Sequence, residues 1–76
     1  MIRKLSELEP GESGVIDSFT ANEIILKLME MGCVPGEKVH VDLLAPLGDP
    51  MSILVAGYQL SLRLNEAEHI FVETTP

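Results

Sequence analysis

The chain has 76 residues, with twelve acidic and five basic side chains and a net charge of −7. A length this short supports one hydrophobic core and hence one domain over residues 1–76, and the acid spread from Glu7 to Glu73 argues against nucleic acid or an anionic membrane surface, which both demand the opposite sign. No apolar run approaches the roughly 18 residues that span a bilayer, and the basic N-terminus has no apolar stretch behind it, so the chain reads as soluble and cytoplasmic.

Leu5 and Leu8 lie three apart before Pro10-Gly11, as a short helical turn or an extended arm. Val15 to Phe19 is the first strand candidate, with Val15 and Phe19 on one face. Asp17 falls on that same face, which implies an edge position or a register shift there. Thr20 as N-cap with Glu23 at N3 forms a capping box, and Phe19 with Ile24 a hydrophobic staple, which predicts a helix over Ala21 to Met31. The pairs Ile24, Leu28 and Ile25, Met29 give that helix an apolar stripe. Gly32 supplies the left-handed stop, Cys33 follows at C″ beside Leu28, and Pro35-Gly36 suits the centre of a type II turn.

Past the turn the period changes to two. Val39, Val41, Leu43 and Ala45 share one face, Lys38, His40 and Asp42 the other, and Leu44 breaks the alternation on the outer face. Pro46 to Pro50 is a proline-bracketed loop. Met51, Ile53 and Val55 point inward, Ala56-Gly57 permits a tight reversal, and Tyr58, Leu60 and Leu62 alternate with polar residues. Asn65 with Glu68 suggests one capped helical turn, and Ile70 and Val72 form a closing strand. The expected fold is mainly β, with about five short strands and one α-helix after the first. A small barrel avoids exposed edges, and too little helix remains for an open ferredoxin-like sheet.

The order of these features resembles the FeoA family, ferrous iron transport protein A. The matching residues are Leu5, Leu8 and Pro10-Gly11, Gly14-Val15-Ile16, the helix and turn from Leu28 to Gly36, the loop Pro46 to Pro50, Gly57 with Leu60 to Arg63, and Ala67, Ile70 and Val72. The resemblance implies a five-stranded SH3-like barrel. It also implies a cytoplasmic accessory role in ferrous iron uptake, by contact with the GTP-binding part of the FeoB permease. The same fold occurs in metal-dependent regulators, so the alternative is a small transition-metal-binding or metal-sensing domain. Cys33 departs from the family pattern, which usually carries a larger apolar residue there.

The residues offer little for catalysis. Cys33 is the sole cysteine, which rules out an intramolecular disulfide, and it follows a helix C-terminus, where the dipole disfavours a thiolate. His40 and Asp42 share a strand face, and His69 with Glu66 or Glu68 could add ligands. Their spacing matches no tight metal motif, so no cofactor and at most weak divalent-metal binding is expected. Ser13, Ser18, Ser52 and Ser61 show no paired His and acid by spacing, and no phosphate loop is present. The six glycines are read as turn residues. An adaptor needs exposed apolar residues instead. The candidates are Met31, Cys33, Val34 and Pro35 after the helix, with Leu44 and Leu47 from the proline-bracketed loop, and such patches also favour weak homo-oligomers.

Overall fold

A computed structural model describes residues 1–20 and 23–75. They form one antiparallel sheet of six strands: β1 (Ile2–Lys4), β2 (Ser13–Phe19), β3 (Lys38–Leu44), β4 (Met51–Val55), β5 (Tyr58–Leu62) and β6 (Ile70–Glu73). The strand order is β1-β6-β2-β3-β4-β5. A 3-10 turn (Leu5–Glu7) follows β1, helix α1 (Ile25–Glu30) follows β2, and the single turn α2 (Leu64–Ala67) precedes β6. The expected five strands are therefore six: Ile-Arg-Lys in β1 is too short to show a period and is a strand only because β6 accepts it. Among the described residues no ladder joins β1 to β5, so hydrogen bonds do not close the sheet into a barrel.

One face of the sheet is buried. Ile16, Val39, Val41, Met51, Ile53, Val55, Leu62, Ile70 and Val72 meet Leu5 and Leu8 of the first turn, Leu28 of α1 and Ala67 of α2. Two bulges decide which side chains reach this core. In β2 the register against β6 shifts between Ile16 and Ser18, so Ile16 is buried whereas Val15 is 42% exposed. The expected inward pair Val15 and Phe19 is thus replaced by Ile16 and Phe19, with Asp17 taking up the extra residue. In β3 the shift lies between Val41 and Leu43. Leu43, paired with Ser52, turns outward at 62% exposure, while Leu44, paired with Met51, packs on the core. That reverses the expectation for both leucines, and an aspartate, Asp42, again occupies the bulge.

Helix α1 starts later than the capping box predicts. Ala21 and Asn22 lie outside the described residues, Glu23 and Ile24 form a turn, and Ile24 caps the helix without a side-chain hydrogen bond. Thr20 instead donates its N–H to the His69 carbonyl at 2.9 Å, which prolongs the β2–β6 ladder and takes the N–H that the Glu23 side chain would accept in a capping box. The other end matches the sequence. Gly32 has φ +101°, its N–H bonds Met29 O at 3.1 Å, and Cys33 N–H bonds Leu28 O at 3.0 Å, the paired bonds of a Schellman motif. Gly36 has φ +94°, and Glu37 N–H bonds Val34 O at 3.1 Å across Pro35-Gly36, as a type II turn requires.

Helix α2 is capped at Arg63 rather than Asn65. Glu66 Oε1 accepts the Arg63 N–H at 2.8 Å, and Asp49 Oδ1, from the proline-bracketed loop, accepts the Leu64 N–H at 3.0 Å. Gly14 serves no turn. It lies inside β2, where a Cβ would stand 3.0 Å from Glu73 O and 3.2 Å from Val72 Cβ, so glycine spares β6 the shift of a few tenths of an ångström that a side chain would demand.

Candidate functional site

The candidate contact residues fall in two places. Met31, Cys33, Val34 and Pro35 follow α1 beside the β4–β5 hairpin, where a Cβ on Gly32 would come 3.2 Å from Ala56 Cβ. Leu44 forms the last rung at the far end of the β3–β4 ladder, with Met51, and Leu47 lies in the loop beyond it. Along β4 the four steps from Val55 to Met51, at about 3.3 Å each, separate the two ends by roughly 13 Å, so the structure does not merge them into one patch.

Their exposures differ as well. Leu47 is 96% exposed at the loop tip and Pro35 is exposed on its turn. Met31, Val34 and Leu44 are half-buried, with Met31 and Leu44 packed on the core. Cys33 is 0% exposed and offers no surface to a partner. Burial also pushes the Cys33 thiol pKa up, so the group stays protonated as a small apolar filler against Leu28.

An open groove, missed in the sequence, lies beside the helix end. Glu30, Met31 and Gly32 form one wall and Tyr58 and Leu60 of β5 the other, around ≈ 340 Å³. Tyr58 is 67% exposed there. The alternation of Tyr58, Leu60 and Leu62 was readable, but the helix end opposite them is a tertiary neighbour.

The polar outer face of the sheet is tied up internally. Ser13 Oγ and His40 Nδ1 lie 2.7 Å apart across β2 and β3, a Ser–His pair that the 27-residue separation hid from the sequence. Among the described residues no carboxylate hydrogen-bonds His40. Gln59 Nε2 donates to Asp42 Oδ2 and to Ser52 Oγ, both at 3.0 Å, which occupies Asp42. Among the described residues no three His, Cys, Asp or Glu side chains gather into a cation site, and none of the helices is long and apolar enough to cross a membrane.

Comparison with known proteins bears on the family of the chain. The FeoA domain model matches residues 3–74. A Porphyromonas gingivalis protein, the Fe(2+) transport protein A/Fe(2+) transporter FeoB fusion protein, is 38% identical over 71 residues. The match covers 92% of this chain and 8% of that protein, so the chain spans under a tenth of that relative. The solution structure of the FeoA protein from Chlorobium tepidum is 40% identical, with a TM-score of 0.87 over 97% of this chain and 71% of that one. The FeoA of Stenotrophomonas maltophilia, crystallised with zinc and described as a procaryotic SH3 domain protein, is 35% identical, with a TM-score of 0.79 over 96% and 89% of the two chains.

Proposed function

Since the chain belongs to the FeoA family, we propose that it is a small cytoplasmic accessory protein of ferrous iron uptake, acting by contact with the cytoplasmic GTP-binding part of a FeoB permease. The observation that carries this reading is the P. gingivalis relative, in which a FeoA part and a FeoB transporter are one polypeptide. Fusion of two functions keeps them at high effective concentration, which benefits parts that touch.

Two apolar places serve as docking surfaces in this reading: the turn Met31 to Pro35 and the loop Leu44 to Asp49. A chain of net charge −7 favours a basic patch on the permease, giving capture that weakens with salt. The test is binding of the permease's cytoplasmic domain by wild type, Leu47→Asp and Pro35→Asp, each checked for folding by circular dichroism. Binding reduced by either exposed charge supports the surface to which that residue belongs. Wild-type affinity in both folded variants removes both surfaces, and no binding by wild type removes the adaptor reading.

The zinc complex of the S. maltophilia relative motivates a second reading, a metal-binding or metal-sensing domain. Calorimetric titration with ferrous or manganous ion separates the two. Submicromolar one-to-one binding that is lost when His40 and His69 are replaced favours the metal site. Millimolar or absent binding leaves the adaptor.

A further inference from the structure

Strand β5 ends the sheet, and among the described residues no strand but β4 pairs with it. Val55 and Tyr58 close a two-residue hairpin over Ala56-Gly57, both with positive φ, and the closing pair of such a hairpin is hydrogen-bonded. Val55–Tyr58, Ile53–Leu60 and Met51–Leu62 therefore exchange the ladder bonds, and the N–H and C=O of Gln59 and Ser61 point away from β4. Each face of this edge carries a carboxylate. On the inner face Glu30 and Met31, at the end of α1, stand across the groove of ≈ 340 Å³ from Tyr58 and Leu60. Glu30 is exposed and enters neither ion pair found among the described residues, and Lys27, three residues earlier on the helix, does not bridge to it. On the outer face Asp42 Oδ2 accepts from Gln59 Nε2 at 3.0 Å. No cation lies between Tyr58 and Leu62, and Arg63 follows the strand, three residues past Leu60 and outside the groove wall.

We propose that β5 is the docking edge for an extended basic segment of a partner protein, which pairs with Gln59 and Ser61 and sets a Lys or Arg side chain in the groove between Glu30 and Tyr58. The added strand accepts the outward N–H groups of Gln59 and Ser61 and donates to their carbonyls, which supplies affinity that no side chain has to specify. Residues directly opposite across a ladder share a face, so the partner residues facing Tyr58 and Leu60 point into the groove. There a cationic head meets the Glu30 carboxylate and the Tyr58 ring, which is 67% exposed, while its aliphatic stem lies along Leu60 and Met31. Charge selects this occupant. An acidic segment would bring like charge to both faces of the edge. A second copy of this chain would offer a strand without a cation, on a body of net charge −7. Met31 also borders the turn offered to the permease above, but the edge selects by backbone and charge, whichever protein carries the segment.

The probes are two capped heptapeptides, one alternating Lys and Thr, the other alternating Glu and Thr. Each is titrated into the full chain at low salt and followed by amide NMR. The Lys peptide is expected to shift and protect the Gln59 and Ser61 amides, to bind at least about tenfold more tightly than the Glu peptide, and to weaken as salt is raised. Glu30→Gln should weaken it about threefold. Glu68→Gln, which removes the same charge from the end of α2 and outside the groove, should leave the affinity unchanged. Ser61→Pro removes an outward N–H but none of the bonds to β4, and should weaken the Lys peptide about fivefold. Circular dichroism checks that each variant is folded, and the exposed Glu30→Gln tests the groove without touching the sheet. A Lys peptide that leaves Gln59 and Ser61 unmoved at millimolar concentration overturns the proposal. Equal binding of the two peptides does so as well, and equal losses in Glu30→Gln and Glu68→Gln would assign the attraction to net charge alone and overturn it too. If Gln59 and Ser61 gain protection as the chain is concentrated without peptide, the edge takes a second copy and the basic occupant is wrong.

Discussion

Strand β1 ends the sheet on one side with three residues, two of them cationic, whereas β5 ends it on the other with five neutral ones. Arg3 of β1 folds back onto the chain after it. Its Nη1 donates to Glu12 Oε2 and its Nη2 to the Glu7 carbonyl, both at 3.0 Å, and Lys4 stays exposed beside it. That edge is short and charged, as edges that resist pairing usually are. The β5 edge instead depends on backbone geometry: a hairpin with two positive-φ residues, seated against a glycine helix cap. One edge is guarded by side-chain charge, the other is shaped by turns and left open. The lesson is that the two edges of one small sheet can be shaped by different physics, side-chain charge on one side and backbone geometry on the other.

The contrast can be broken from either side. The largest effect is expected for Gly14→Ala, because the new Cβ would press on the Glu73 carbonyl and Val72. Overpacking of this kind costs about 2 kcal/mol, read as a lower urea midpoint. Since among the described residues β1 pairs only with β6, its amides should lose exchange protection before those of β5. An unchanged midpoint would show that β6 moves aside freely.

On the β5 side, Gly32→Ala should cost about 1 kcal/mol, from the left-handed φ and from the crowding of Ala56. Equal urea midpoints and slopes for variant and wild type would refute the cap. Ala56→Gly runs the other way. With φ +52° the alanine is strained, and its removal should raise stability by about 0.5 kcal/mol, visible as a small rise in melting temperature.

The smallest effect belongs to the β1 edge. Glu12 sits below the usual carboxylate range, first because the Glu9 N–H donates to it and then because of Arg3. A depressed folded-state pKa stabilises the fold above the unfolded value and loses that contribution as pH falls through the folded value. The urea midpoints of wild type and Glu12→Gln should therefore differ slightly at neutral pH and converge in acid, below the ordinary Glu range. A difference that stays constant down to about pH 2 would sink the assignment.

What the amino-acid sequence by itself determined is local. The glycine stop at Gly32, the Cys33 N–H back to Leu28, the Pro35-Gly36 turn and the Ala56-Gly57 reversal all follow from residues within a few positions of one another. Each of these closes its hydrogen bonds inside its own segment, so no distant partner can overrule it. The tertiary structure decided the rest. Asp17 and Asp42 became bulges only because β6 and β4 imposed their registers, which sent Val15 and Leu43 outward and Leu44 in. Thr20 left its capping box for the His69 carbonyl, and Ile2–Lys4 became a strand because β6 was there to pair with it. The candidate surface divided for the same reason, since the length of the β3–β4 ladder separates Leu47 from Met31 and the groove beside Tyr58 needs the helix end across from it. A strand's period is two, so one residue inserted by a distant partner inverts every side chain beyond it, and local reading cannot foresee that.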